Sequence, residues 1–240
     1  MSIKESTITV NNMPVKIIRK NIKNLHLAVC PPDGWVRVSA PERVDDDTVR
    51  LAVMSRFGWI QRAVKKFQTQ EHQTKRQMIR GETHYYQGHA YVLDVCHTHG
   101  KNRVEIKNNQ TLTLHVKPNT STENRKKLLE SWYRNQMKSI LPDAITKWEQ
   151  RMGVKVNEWG IKRMKTRWGT CNPAHKRIWL NLELIKKPNV CLEYVLVHEL
   201  VHFWERGHNS VFKSHMDRLM PNWRSIRDEL NSAPLASEVW

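Results

Sequence analysis

The chain has 240 residues, of which 39% are hydrophobic, so it can bury a core of ordinary size and does not have the composition of a disordered chain. Its formal net charge of +17 predicts attraction to polyanions, with solubility as the alternative explanation for the excess of basic residues. The four cysteines form no C-x-x-C pair, no secretory signal opens the sequence, and no apolar stretch is long enough to cross a bilayer. We therefore expect a cytoplasmic protein without a membrane partner.

The first half of the sequence alternates apolar and polar residues in the manner of strands. Such runs, separated by turn residues, predict a small antiparallel sheet over the first forty residues. A helix is predicted from Asp45 towards Phe67, because apolar residues recur there at helical spacing after an acidic start. Four more short strands are predicted between Tyr85 and Val116.

The periodicity becomes helical after residues 118–122, where we place a domain boundary. One broad apolar face extends from Thr122 to Trp148, with Pro142 as a predicted kink or break. Two strands are expected next, near residues 154–159 and 177–182, joined through a turn at residues 168–170, and Pro188 then opens another helix. The predicted class is α+β, with a β-rich N-terminal domain carrying one helix (residues 1–120) and a second domain (residues 121–240).

The segment from Glu193 to His208 contains the motif H-E-x-x-H. His198 and His202 lie four residues apart, so a helix places both imidazoles on one face, where they can hold one zinc ion. Glu199 can reach a water on the open side of that metal and take its proton. The surrounding residues are apolar, and a buried helix is an unfavourable place for these polar groups unless they have a function. The alternative is a core helix whose histidines hydrogen-bond to their neighbours.

A catalytic zinc site needs a third protein ligand, and His208 is the candidate. It follows His202 by six residues, which on a continuous helix is about 120° around the axis and about 9 Å further along. We therefore predict that the chain leaves the helix before His208, through a left-handed Gly207, and that the turn brings His208 back to the metal. Glu205 and the more distant Glu229 are the rival ligands.

Several segments together resemble the YgjP-like zinc metallopeptidase family, whose layout is similar to the SprT and Spartan zincin domains. These segments are W-G-T-C at 168–171, the strand at 178–182, H-E-L-V-H at 198–202, G-H-N-S-V-F at 207–212 and the strand-rich run at 19–41. The resemblance covers nearly the whole chain. It implies a β-rich N-terminal domain, a C-terminal minimal zincin domain and a Zn²⁺-dependent peptidase. In that peptidase His198, His202 and His208 bind the metal and Glu199 is the general base.

Basic residues are concentrated just before the W-G-T-C segment, at Lys162, Arg163, Lys165 and Arg167. Beside the metal helix they would form a cationic rim able to bind DNA or RNA without sequence preference, and a solvated basic edge strand is the alternative. An edge strand here could also pair with an extended substrate peptide. The leading prediction is a zinc peptidase, acting on proteins that include those associated with nucleic acid. The other hypotheses are a basic nucleic-acid-binding module with a structural or idle zinc site, and a polypeptide-binding adaptor that needs no metal.

Overall fold

The computed structural model describes residues 4–30, 34–69, 76–164 and 166–232, which fall into two compact units. Residues up to 69 belong to the first unit, and residues from 76 to 232 belong to the second. This division lies well before the boundary predicted near residue 120. The strands between residues 83 and 116 fall in the second unit because their buried apolar residues share a core with the long helix that follows them.

In its described residues, the first unit is a four-stranded sheet with two helices. Its elements are β1 (Lys4–Val10), β2 (Met13–Lys20), β3 (His26–Cys30), β4 (Trp35–Pro41), α1 (Asp46–Ser55) and α2 (Phe57–Thr69). The strand order is β1-β2-β4-β3. The β1–β2 and β3–β4 pairs are antiparallel, but β2 and β4 are parallel, so the sheet is mixed rather than purely antiparallel. The central pair is parallel because β2 is hydrogen-bonded to β4 and not to β3, the next strand in the sequence, which lies at the edge of the sheet.

Two helices occupy the segment where the sequence predicts one. The predicted start is confirmed, since the Asp45 carboxylate accepts a hydrogen bond from the Thr48 N–H at 2.7 Å and caps α1. The backbone of Arg56 departs from helical geometry, with φ −114° and ψ 14°, and this separates α1 from α2. Val53 before the break and Ile60 after it are nevertheless both fully buried in the same core.

Over the residues that the structure describes, the second unit contains two sheets, four α-helices and two short 3₁₀ helices (Pro173–His175 and Leu182–Lys186). The first sheet consists of β5 (Thr83–Tyr86), β6 (His89–His97), β7 (Arg103–Lys107) and β8 (Thr111–Val116). Its order, β5-β6-β8-β7, repeats the topology of the first unit's sheet. The remaining elements are α3 (Thr122–Met152), β9 (Glu158–Lys162), β10 (Gly169–Asn172), β11 (Arg177–Asn181), α4 (Asn189–Val201), α5 (Ser210–Leu219) and α6 (Trp223–Ser232). The predicted α+β class is thus confirmed.

Helix α3 contacts β7 and β8 of the first sheet and also the helix α4. It continues past Pro142 as one element of 31 residues, so the predicted break does not occur. Its buried face packs against the sheet residues of the same core, and the Trp148 indole N–H donates to the Glu193 carboxylate of α4 at 2.9 Å. Among the described helices, none has both the length and the apolar character that a membrane crossing requires.

Strand β10 begins where the sequence predicts only a turn. It pairs antiparallel with the central strand β11, whose other neighbour, β9, is parallel. Strand β10 therefore lies at one end of the described three-stranded sheet, and α4 contacts it. Four residues, G-T-C-N, are too few to show an alternating pattern, so the sequence does not distinguish this strand from a turn.

The side chain of Asn181, at the end of β11, holds the segment that leads into β10. It is fully buried, and its amide nitrogen donates to the backbone carbonyls of Met164 and Arg167 at 2.9 and 2.8 Å. Its amide oxygen accepts from the Glu183 N–H at 3.2 Å. One side chain thus fixes both flanks of the loop before β10.

We expect Asn181→Ala to lower the free energy of unfolding by about 1–3 kcal/mol, because the backbone groups of Met164, Arg167 and Glu183 lose their side-chain partner. Urea denaturation measures the change. Asn135→Ala is the matched control, since Asn135 is exposed on α3 and alanine has the higher helix propensity. Equal stability of the two variants would contradict the anchoring role of Asn181.

Candidate active site

Helix α4 carries the H-E-x-x-H segment into the interior of the second unit. Pro188 occupies the position immediately before its first residue, as predicted. Nine of its thirteen residues are buried, so a polar side chain on the buried face of this helix is largely removed from water. Helices α5 and α6 both contact α4, and β10 lies beside it.

Three imidazoles converge at the C-terminal end of α4. The ring centroids of His198, His202 and His208 are 5.0, 4.9 and 4.9 Å apart, which is a nearly equilateral triangle. One ring nitrogen from each lies within 4.8 Å of the other two, and the Nε2 atoms of His198 and His208 are 3.0 Å apart. These distances suit three donors to a single metal ion.

The chain leaves the helix before His208, as the geometric argument predicts. Helix α4 ends at Val201, and His202 is its capping residue. The prediction of a left-handed conformation at Gly207 is wrong, because Gly207 is not among the residues with positive φ. A side chain supports the turn instead: the Glu205 carboxylate accepts from the Gly207 N–H at 3.1 Å.

Glu205 contributes to the site through its backbone rather than as a ligand. Its carbonyl accepts a hydrogen bond from Nδ1 of His202 at 3.0 Å, which leaves Nε2 as the nitrogen of that ring available to a metal ion. Among the described residues, the cluster of candidate ligand atoms includes neither of the predicted rivals, Glu205 and Glu229.

Phe212 supports the histidine triangle from one side. Its ring centroid lies 4.9, 4.9 and 4.8 Å from the rings of His198, His202 and His208, and the side chain is almost fully buried. Asn209 caps α5 by accepting a hydrogen bond from the Phe212 N–H at 3.0 Å, and so fixes the start of the helix that carries this ring. The cavity next to the histidines does not include Phe212 in its lining, so the triangle opens on the other side.

The surroundings of His198 and His208 favour the neutral form of both rings. Burial, together with the neighbouring His202 and His208, lowers the pKa of His198 to about 3. Burial also lowers the pKa of His208, again assisted by His202. Neutral imidazole is the form that binds a metal ion.

The Glu199 carboxyl group is buried against the backbone of β10. It is only 6% exposed, and burial raises its pKa to about 8 despite the opposing effect of the Arg167 guanidinium. A β carbon on Gly169 would lie 2.6 Å from Glu199 Oε1 and 2.9 Å from its Cγ. The strand can therefore approach Glu199 this closely only with glycine at position 169.

A cavity of about 630 Å³ borders Glu199 and the histidines. Its lining includes Tyr194, Arg206 and Arg227, which the sequence reasoning missed. Tyr194 had a usable signal, because it precedes His198 by four residues and shares its helix face; the two rings are 5.9 Å apart. Arg227 had none, since α6 reaches the site only through tertiary packing.

The predicted cationic rim is not uniform. Arg163 pairs with Glu130 at 3.2 Å, and the Lys162 ammonium lies 3.6 Å from the Trp179 ring centroid. Arg167 lines the cavity, whereas Lys165 lies outside the described residues. Of the four basic residues, Arg167 is the one that the structure brings to the candidate site.

A buried H-E-x-x-H helix, a third histidine returning to it and an adjoining cleft are the features of a metallopeptidase. The sequence matches the YgjP-like metallopeptidase domain over residues 23–233, and the chain therefore belongs to the YgjP-like family. It is a metallopeptidase, a hydrolase whose family implies a divalent metal ion and a protein or peptide substrate. No curated protein is significantly similar to it in sequence.

Two solved structures of metallopeptidase zymogens share a distant similarity with part of the chain. Abylysin of Pyrococcus abyssi is 19% identical with a TM-score of 0.36, and the similarity covers 38% of this chain and 91% of that one. Jannalysin of Methanocaldococcus jannaschii is 18% identical with a TM-score of 0.33, covering 38% and 92%.

We expect Gly169→Ala to lower the free energy of unfolding by about 1–3 kcal/mol, because the new methyl group must displace the buried Glu199 carboxyl. In a Glu199→Ala background the same substitution should cost much less, since the space is vacated. Urea denaturation of the four proteins measures this double-mutant cycle. Gly207→Ala is the control, because a β carbon there meets only Glu205 Oε1 at 3.8 Å. An equal cost in both backgrounds would refute the contact.

Proposed function

We propose that the protein hydrolyses peptide bonds with Zn²⁺ held by His198, His202 and His208 and with Glu199 as the general base. The observation that carries this proposal is the convergence of three imidazoles next to one buried carboxyl group. The donor set fits zinc, which favours nitrogen ligands and, in catalytic sites, takes three protein ligands with one open position. When bound, zinc supplies a Lewis acid that polarises a peptide carbonyl and acidifies water.

Glu199 moves the proton in this proposal. Its carboxylate accepts a proton from the attacking water and then donates it to the nitrogen of the departing amine. Burial makes the group a stronger base than an exposed glutamate. The positive charge of Arg167 opposes this rise in pKa, and a cation held by the histidines would favour the ionised form further.

Strand β10 supports the binding of an extended substrate. It is the terminal strand of its sheet in the described chain, so its outer edge can offer backbone hydrogen bonds to a peptide. Gly169 places this strand in direct contact with Glu199. A peptide paired along β10 would therefore pass beside the general base, and a disordered or unfolded segment of a protein is the substrate that can do so.

Nucleic-acid binding and a cytoplasmic location stay predictions. The Lys162 ammonium covers one face of the Trp179 ring, and Arg163 is engaged with Glu130, so neither supports stacking of bases or a free phosphate-binding rim. A nucleic-acid-binding module with a structural zinc site would also leave the buried Glu199 without a role. The contacts thus favour the peptidase over the alternative.

We expect His208→Ala to weaken zinc binding by at least about 100-fold, since a ligand is lost where a second-shell change alone costs 10–100-fold. Glu205→Ala should weaken it by less than about tenfold, because the backbone carbonyl that orients His202 remains. Competition with a chromophoric chelator gives both affinities. Loss of zinc from Glu205→Ala but not from His208→Ala would refute the ligand assignment.

We expect Glu199→Gln to retain about one zinc per chain and to lose roughly 100- to 10,000-fold of the hydrolysis rate, because an amide cannot accept the proton. Metal content is measured by elemental analysis and hydrolysis by the degradation of casein. The control is Glu158→Gln, which removes an exposed carboxylate outside the cavity lining. Parental activity in the Glu199 variant would rule this residue out as the base.

A further inference from the structure

The cavity at the candidate active site is strongly cationic. Three arginines line it, at positions 167, 206 and 227, and among its described lining residues the one carboxyl group is that of Glu199. One carboxyl group cannot balance the charge of three guanidinium groups. A ligand entering this cavity therefore meets a local excess of positive charge beyond the general charge of the chain.

Two of the three arginines are available to a ligand. Arg167 and Arg206 are exposed, and within the described part of the chain neither takes part in an ion pair. Arg227 differs, since its Nε and one terminal nitrogen bond to the Asp228 carboxylate at 2.9 and 2.8 Å. Its guanidinium also lies 5.2 Å from the Trp223 ring centroid.

The positions of Arg167 and Arg206 are determined by the site itself. The backbone carbonyl of Arg167 is held by Asn181 in the segment before β10. Arg206 lies in the turn between His202 and His208, and the Glu205 carboxylate supports this turn. The two arginines therefore reach one cavity from two different segments, one before β10 and the other after α4.

We infer that Arg167 and Arg206 select peptides carrying a carboxylate near the scissile bond. A guanidinium group binds a carboxylate through two parallel hydrogen bonds, and positive charge disfavours a lysine or arginine at the same place. The carboxylate can belong to an aspartate or glutamate side chain or to the peptide's C-terminus. This inference rests on the proposed peptidase function and specifies its substrate class.

A peptide fits these observations better than a nucleic acid does. Residues of β10 line the cavity, and the outer edge of this terminal strand can offer hydrogen bonds to a peptide backbone. Proteins that bind single-stranded nucleic acid combine a basic groove with exposed aromatic rings on which the bases stack. Here the Trp168 indole is half-buried with the Lys187 ammonium 5.9 Å from its ring centroid.

The test uses full-length, zinc-loaded protein carrying Glu199→Gln, so that peptides stay intact. Fluorescence anisotropy measures the affinity for labelled, C-terminally amidated decapeptides that differ at one central position, which is Glu, Gln or Lys. We expect the Glu peptide to bind roughly three- to tenfold tighter than the Gln peptide, and the Lys peptide to bind weakest. A Gln peptide with a free C-terminus distinguishes the two sources of carboxylate.

Variants assign any preference to the two arginines. Arg167→Gln and Arg206→Gln should each reduce the Glu-over-Gln preference, and Arg206→Glu should shift it towards the Lys peptide. Arg103→Gln is the matched control, since it removes one exposed arginine from β7, outside the cavity, and should leave the preference unchanged. A preference that survives in both cavity variants overturns the inference.

Casein degradation by the parental protein separates the two proposals. Degradation without any preference among the amidated peptides overturns the inference and leaves the peptidase function in place. Zinc binding without degradation overturns the peptidase function, whatever the peptides show. Single-stranded DNA that binds tighter than the Glu peptide, and weakens in Arg167→Gln, reassigns the arginines to phosphate and overturns the inference.

Discussion

The close contact between the Glu199 carboxyl group and the backbone of Gly169 is the constraint on which the candidate site depends. A carboxyl group on a buried helix is costly unless its surroundings are shaped for it, and here one surface is provided by a strand without a side chain at the point of contact. That strand lies where it does because it pairs with β11 and because Asn181 holds the segment before it. The small sheet, the loop and the metal helix therefore form one arrangement around a single acidic group.

The three histidines are likewise positioned by a small number of contacts. Two come from one helix, and the third arrives through a turn whose side-chain and backbone bonds both involve Glu205. Phe212 contacts all three rings, so the apolar core itself sets their separation. Desolvation then keeps His198 and His208 neutral, which prepares them for a cation without any further rearrangement of charge.

The sequence allowed the clustering of three histidines to be predicted, but not the residues around them. The spacing of His198 and His202, and the distance to His208 along a continuous helix, are local geometric facts. They led to the correct expectation that the chain leaves the helix before His208. The backbone conformation of Gly207 could not be inferred, because glycine is compatible with many conformations and its identity alone does not require a positive φ. Strand β10 was missed because its four residues show no period.

Long-range pairing set the other limit on prediction. The parallel contacts β2–β4 and β6–β8 join strands that are not consecutive, and no local pattern specifies them. Arg227 is brought to the cavity by the packing of α6 against α4, which the helical period of either segment does not reveal. The domain boundary near residue 120 followed a genuine change of period, yet cooperative burial joins residues on both sides of it.

The terminal strands of the second unit differ in what they present to other chains. Strand β7 exposes Arg103, Glu105 and Lys107, and alternating charges of this kind discourage edge-to-edge pairing. Strand β10 has no charged residue in its G-T-C-N sequence, so its edge carries no such protection. An open edge of this kind also invites aggregation between copies of the same chain. The net charge of +17 opposes this, because identical molecules repel one another before their edges meet.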